Sequence, residues 1–150
     1  MDRRAIVIVL PVAVTLGAIF LLAQQDVNGT EKLAWRVEQA LVHVVPPTGK
    51  GEIGEPTWFG LTIRRLAHVA EFFALGLAVA LALRMLAPAR LALDPRVAYL
   101  AVCFAASLAD ELHKLFVPGR HFDPKDLLLD AAGYLLALAL WQLAAHLLGH

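Results

Sequence analysis

Residues 64–84, RRLAHVAEFFALGLAVALALR, are the stretch of sequence that decides the fold. Residues 72–83 within it carry no charge, and as an α-helix the whole stretch is long enough to cross a hydrocarbon core of about 30 Å. Three further stretches, residues 5–23, 97–117 and 124–148, have a similar character. We therefore predict an all-α, polytopic membrane protein with four transmembrane helices in a small bundle, formed as a single domain by residues 1–150.

The composition supports a membrane protein and excludes several other classes. Of the 150 residues, 59% are hydrophobic and 17% are charged, and the mean hydropathy is +0.66. Soluble domains carry about 25% charged residues, and disordered chains have the opposite balance. Thirteen basic and thirteen acidic residues give no net charge, so a nucleic-acid partner is not expected. A single cysteine, Cys103, excludes a disulfide scaffold and a cysteine-based zinc site.

The first segment and the chain after it raise two separate questions. A cleaved signal peptide is the alternative for residues 5–23, but the run is long for one and lacks a good cleavage site, so we favour a retained helix. Residues 31–45 carry apolar side chains at helical spacing, which predicts a short interfacial amphipathic helix between the first two membrane helices.

Arginines indicate the orientation of the chain in the membrane. Arg84, Arg90 and Arg96 lie in or beside the short connection between the second and third segments, and Arg3 and Arg4 precede the first. Because short cytoplasmic loops are enriched in basic residues, both termini are predicted to be cytoplasmic. In any orientation, the start of the second segment, the end of the third and the start of the fourth share one membrane face.

That shared face collects the charged residues of the spans. Charges within a span cost about 2.5–3.5 kcal/mol each and should face the bundle or water. Arg64, Arg65 and Lys114 need no functional role, because their charged ends can snorkel to the membrane surface. A functional role is more plausible for His68, Glu71 and Asp130, which lie a turn or more inside their spans. A stripe of small residues on the second segment, Ala67, Ala70, Ala74 and Ala78, is suited to helix packing. The candidate ligand-binding residues are Arg64, Arg65, His68, Glu71, Asp110, Glu111, Arg120, Asp126 and Asp130.

Three motifs in this region resemble those of the VanZ-like family. Residues 63–76, IRRLAHVAEFFALG, are similar to its basic pair followed by His; residues 109–120, ADELHKLFVPGR, to its Asp-Glu…Pro-Gly-Arg signature; and residues 126–133, DLLLDAAG, to its Asp-x-x-x-Asn-x-x-Gly element. Together the motifs cover residues 60–135. Lys114 stands where the family usually has Gln and Asp130 where it usually has Asn, which raises the hypothesis that these two charges pair across helices.

The resemblance implies a small multi-pass protein of the bacterial plasma membrane. The family's namesake is linked to resistance to the glycopeptide teicoplanin. The expected partners are membrane lipids, including a lipid-linked cell-wall precursor, and the oligomeric state stays open. We expect no cofactor.

Three kinds of site are compatible with these residues. In the first, Arg64, Arg65 and Arg120 bind the phosphate or carboxylate of an anionic lipid or cell-wall precursor, while carboxylates hold the arginines and His68 in place. In the second, the protein is an intramembrane enzyme that modifies a lipid head group, with His68 or His113 as acid or base and Glu71 as a further candidate. A metal site is the third and is not favoured, because the arginines compete for the same carboxylates. A proton-coupled transporter ranks last.

Overall fold

The computed structural model describes residues 3–25, 27–52, 54–86 and 94–148. Over these ranges the chain forms five helices and one small hairpin. The elements are α1 (Arg3–Ala23), α2 (Val27–Val44), β1 (Gly49–Lys50), β2 (Pro56–Thr57), α3 (Ile63–Met85), α4 (Pro95–Lys114) and α5 (Pro124–Leu147). The predicted all-helical class is confirmed apart from the hairpin. Arg90 lies outside the described residues.

The four predicted membrane segments correspond to α1, α3, α4 and α5, and the predicted helix between the first two segments is α2. α2 is longer than expected, because it begins at Val27. α4 ends at Lys114 rather than at residue 117, since a series of turns leads from there to Gly119, whose φ of 78° favours glycine.

Two helices, α3 and α5, are each long and apolar enough to cross a membrane. A third span results if Ile8–Ala23 and Asn28–Val44, which meet at a bend of 113°, are taken together as one broken span or re-entrant loop. α4 carries three charged residues in its last turns (Asp110, Glu111 and Lys114), which lowers its hydropathy. The chain is thus a membrane protein, whereas the four-span topology and the interfacial position of α2 stay predictions.

Local sequence explains where α4 and α5 begin. In each helix a proline follows an aspartate, so the proline occupies the first helical position, where no backbone N–H is needed. Asp94 Oδ1 accepts a hydrogen bond from the backbone N–H of Arg96 at 2.7 Å. Asp123 Oδ1 accepts one from the backbone N–H of Lys125 at 2.9 Å. Asp94 and Asp123 are therefore the N-caps of α4 and α5.

The closest helix contact joins α3 and α5, which pack against each other more extensively than any other described pair. A Cβ added at Gly133 would collide with the backbone carbonyl of Val69 and would lie 2.9 Å from the nitrogen of Phe73. Glycine therefore allows the two backbones to approach directly. Two alanines of the α3 stripe, Ala67 and Ala70, line a cavity.

The hairpin closes the region between α2 and α3. β1 and β2 pair antiparallel, with Gly49 opposite Thr57. Trp58 follows the hairpin and is only 2% exposed, and its indole N–H donates to the carbonyl of Val45 at 3.0 Å. This bond ties the chain before α3 back to the end of α2.

Candidate functional site

Six polar side chains from three helices form one buried cluster, which we call the polar core. They come from the start of α3, the end of α4 and the start of α5, as the topology predicts. Hydrogen bonds and ion pairs connect them without interruption. The members are His68, Ser107, Glu111, Lys114, Asp126 and Asp130.

His68 lies between two carboxylates of α5. Its Nδ1 is 2.9 Å from Asp130 Oδ1, and its Nε2 is 3.3 Å from Asp126 Oδ2. The hydroxyl of Ser107 donates to the other oxygen of Asp130 at 2.7 Å. Asp130 is fully buried, where a carboxylate without hydrogen-bond partners would be very unfavourable. Both of its oxygens have such partners. The carboxylate fixes the orientation of the imidazole ring.

Lys114 supplies the positive charge at the centre of the polar core. Its side chain is 3% exposed, and its ammonium group donates to Glu111 and, at 2.7 Å, to Asp126 Oδ2. The hypothesis that Lys114 pairs with Asp130 is wrong, because Asp130 is bonded instead to His68 and Ser107. The lysine instead bridges two acidic side chains of α4 and α5.

Glu111 has a structural position. One of its oxygens accepts from Lys114, and Oε2 accepts a hydrogen bond from the backbone N–H of Asp123 at 3.0 Å. This second bond holds the residue that caps α5 against the end of α4. Glu111 is completely buried, and both of its oxygens have hydrogen-bond partners within the protein.

Beside the polar core lies a cavity of about 500 Å³, which we call the α2 cavity. Its apolar wall is contributed by the end of α1 and by α2, where Leu33, Val37 and Leu41 are members. The opposite wall carries polar side chains of α3, α4 and the loop before α5. Those polar lining residues are Arg64, His68, Glu71, Asp110 and Arg120. The structure thus brings together five of the predicted site residues around one space.

The arginines are not bound by carboxylates, contrary to expectation. Among the described residues, no acidic side chain lies within ion-pair distance of Arg64 or Arg120, because Lys114 and His68 take those positions instead. Arg120 donates one N–H to the carbonyl of Ala23 at 2.9 Å, which places its guanidinium against the end of α1. Arg65 is exposed and does not line the cavity.

Two acidic side chains of the cavity differ from those of the polar core. Glu71 and Asp110 line the α2 cavity, and within the described ranges neither forms a hydrogen bond or ion pair. Both are shielded from bulk water to some degree, Asp110 being 6% exposed. Their oxygens are therefore free to accept hydrogen bonds from a bound molecule.

His113 lies away from this arrangement. Its ring packs against Phe20 of α1, with centroids 4.3 Å apart. Its buried Nε2 has no hydrogen-bond partner among the described residues. Without an orienting carboxylate or access to the cavity, His113 is a weaker acid–base candidate than His68.

The donor atoms of His68, Asp110 and Glu111 lie within 4.8 Å of one another, a spacing compatible with a metal ion. Lys114 Nζ is bonded to Glu111 and lies 3.4 Å from His68 Nε2. A metal ion would have to displace this ammonium group, so these residues fit a lysine-centred ion-pair network better than a metal centre.

Sequence reasoning missed two members of the polar core. For Lys114 the sequence suggested either snorkelling or a pair with Asp130, whereas the residue is 2% exposed and its ammonium group bridges Glu111 and Asp126. Ser107 was not a candidate, although it lies one turn before Asp110 and so on the same face of the helix. The apolar wall from α2 is the apolar face of the predicted amphipathic helix, but the sequence did not indicate that this face turns toward α3 rather than toward lipid.

The chain was compared with known proteins in three ways. No curated protein and no solved structure matches it. A model of the VanZ/LLP1 family matches residues 7–145, which include every member of the polar core and every polar residue of the α2 cavity. The chain therefore belongs to the VanZ/LLP1 family.

Proposed function

We propose that this protein binds an anionic lipid of the cell envelope, in particular a lipid-linked cell-wall precursor, in the α2 cavity. The observation that carries the proposal is the combination of one apolar wall with two arginines that have no ion-pair partner among the described residues. An amphiphile matches both features, because its hydrocarbon tail is buried against α2 while its phosphate meets the guanidinium groups. Membership of the VanZ/LLP1 family supports a role in the membrane.

The acidic side chains of the cavity favour a particular kind of head group. Glu71 and Asp110 would repel a simple polyanion, but as hydrogen-bond acceptors they match hydroxyl, amide or ammonium groups. A lipid-linked precursor carries phosphate next to a sugar and peptide that are rich in such donors. A phosphate placed at Arg64 and Arg120 would leave these donors facing the carboxylates.

The proposal includes a topology. We infer four spans, formed by α1, α3, α4 and α5, with α2 lying at the outer face over the cavity. The arginines at the opposite end of the bundle, Arg84 and Arg96, then face the cytoplasm together with both termini. In this orientation the α2 cavity opens toward the side on which cell-wall precursors are used. A reporter enzyme fused after residue 148 tests this, and activity restricted to the outside would contradict it.

Binding of a radiolabelled polyprenyl diphosphate-linked cell-wall precursor to the purified protein in nanodiscs tests the central proposal. Arg64→Gln is the primary variant, because Arg64 lines the cavity without holding another element. Charge-assisted hydrogen bonds contribute about 1.5–3 kcal/mol, so we expect at least a roughly tenfold weaker affinity. Arg120→Gln should act in the same direction, although it also loses the bond to Ala23.

The matched control is Arg36→Gln, an exposed arginine of α2 outside the cavity lining. It should leave the affinity unchanged. Unlabelled phosphatidylglycerol should compete less well than unlabelled precursor, because it offers fewer donors to Glu71 and Asp110. Equal affinity of the wild type, Arg64→Gln and Arg120→Gln would overturn the proposal.

We further propose that binding contributes to teicoplanin resistance, the phenotype linked to the family's namesake. A strain lacking the gene, complemented with wild type, Arg64→Gln or Arg36→Gln, is exposed to teicoplanin. Susceptibility should return to the knockout level with Arg64→Gln at normal expression, and not with Arg36→Gln. An unchanged minimum inhibitory concentration between knockout and wild type would contradict this role.

A second candidate function is an enzyme that modifies a lipid head group. One observation favours it: the buried carboxylate of Asp130 orients the ring of His68, which lines the α2 cavity. A histidine held in this way is suited to act as a general acid or base. Asp130→Asn would then abolish a lipid modification while precursor binding persists. Identical head-group profiles of knockout and wild-type membranes would exclude this function.

A further inference from the structure

A second pocket lies at the end of the bundle opposite to the polar core. It has a volume of about 310 Å³ and is formed by the end of α3, the start of α4 and the end of α5. We call it the distal pocket. Its wall consists mainly of apolar and aromatic side chains, and its polar members are Arg84, Arg96 and Gln142.

The two arginines of the distal pocket are available to a ligand. Among the residues that the structure describes, neither arginine has a carboxylate within ion-pair distance, and none of the pocket's lining residues is acidic. The carboxylate of nearby Asp94 caps α4 by accepting from the backbone N–H of Arg96. The Arg84 guanidinium carbon lies 5.8 Å from the centroid of the Trp141 ring, a cation–π distance that positions the group over the pocket.

The rest of the distal pocket's wall offers hydrocarbon rather than free polar groups. Tyr99 is the one hydroxyl-bearing side chain among the described lining residues, and its O–H donates to the carbonyl of Tyr134 at 2.6 Å. That hydroxyl is therefore already satisfied. The side chains of Ala80, Leu83 and Leu138 present hydrocarbon to the same space. A bare phosphate would make no use of this wall, whereas an acyl chain would.

We propose that the distal pocket binds an anionic phospholipid, with its phosphate between Arg84 and Arg96 and an acyl chain against Leu138 and Tyr99. Charge complementarity selects the anionic class, because two cations line the pocket and none of its described lining residues is acidic. Basic pockets between membrane helices at the level of the head groups have this recognition chemistry. Such a lipid would bridge α3, α4 and α5 at the end of the bundle where the polar core makes no contact.

Quenching of Trp141 fluorescence by brominated lipid gives a readout local to this pocket. The protein carries Trp35→Phe and Trp58→Phe, so that Trp141 is the one tryptophan left of the three in the sequence, and it is placed in nanodiscs of phosphatidylcholine with a small fraction of brominated phosphatidylglycerol. We expect stronger quenching by brominated phosphatidylglycerol than by the same fraction of brominated phosphatidylcholine. Unlabelled phosphatidylglycerol should reverse the effect.

Variants separate the pocket from general attraction of the lipid to the protein. Arg84→Gln with Arg96→Gln should make quenching by the two brominated lipids equal, while Arg36→Gln should keep the preference. Leu138→Phe retains both arginines but fills the pocket, so it should also lose the preference and covers the case in which the arginine variant fails to fold. Equal quenching by both lipids in the parent protein, or a preference that survives both pocket variants, would overturn the proposal.

Discussion

Replacement of Lys114 by Gln removes the central positive charge of the polar core. Lys114 is 2% exposed, and its ammonium group bridges Glu111, which is fully buried, and Asp126. Gln is neutral and not larger than Lys, so it removes the charge without overfilling the site. The substitution tests whether the lysine neutralises the acids of α4 and α5.

The magnitude follows from the burial of the partners. Loss of one member of a buried ion pair costs about 3–5 kcal/mol, because the remaining charge stays desolvated without compensation. For a domain whose total free energy of unfolding is about 5–15 kcal/mol, this is a large part of the stability. Glu111 still accepts a hydrogen bond from the backbone N–H of Asp123, so we expect Lys114→Gln to destabilise the protein by about 3 kcal/mol, the lower end of this range.

The free energy of unfolding is measured by titrating sodium dodecyl sulfate into maltoside micelles while following helix content by circular dichroism. Glu111→Gln and the double variant complete a thermodynamic cycle. Because the double variant has lost both charges, its destabilisation should be smaller than the sum of the two single values by about 1 kcal/mol or more.

Lys125→Gln is the matched control, since Lys125 is exposed at the start of α5. It should change stability by less than about 0.5 kcal/mol. The reasoning is refuted if Lys114→Gln has as small an effect as Lys125→Gln, or if the cycle shows no coupling between Lys114 and Glu111.

Three further predictions use the same purified protein. Gly133→Ala should destabilise the protein by about 1–3 kcal/mol, because the new Cβ collides with the backbone of α3. Gly17→Ala is the control and should have no such effect, because no atom lies within 4 Å of a Cβ at that position. Equal unfolding midpoints of the two variants would contradict this. Ser107→Ala should cost about 1–3 kcal/mol in the detergent titration by leaving an oxygen of buried Asp130 without its donor, and no loss would argue against that bond. Cys103 is completely buried, so its alkylation by a water-soluble maleimide should be slow in maltoside and fast after unfolding; similar rates would mean that the packing around it is wrong.

Helical periodicity and topology made much of this arrangement predictable. The order of the segments alone placed the ends of three helices on one side, and the contacts of His68 with Asp126 and Asp130 confirm it. The predicted fourth segment, residues 124–148, likewise begins at the first residue of α5. These features depend on local spacing, which a single sequence contains.

Pairings within the cluster were less predictable, because several acids and bases of similar reach lie close together. The sequence favoured ion pairs between arginines and carboxylates. In the structure Arg64 is exposed, whereas Lys114 is buried at the end of α4 and forms the ion pairs with Glu111 and Asp126. Helix packing was harder to predict in detail. Ala67 and Ala70 of the predicted stripe line the α2 cavity, whereas Gly133 lets α5 approach the backbone of α3.

The central claim is that the α2 cavity holds the tail of an anionic lipid, and photocrosslinking tests it most directly. A polyprenyl diphosphate with a diazirine in its tail is irradiated with the protein in nanodiscs, and the labelled residues are identified by mass spectrometry. The account predicts adducts concentrated at Leu33, Val37 and Leu41, which line the cavity, and their loss on competition with unlabelled precursor. Adducts spread over the outer faces of α4 and α5, unchanged by the competitor, would contradict it.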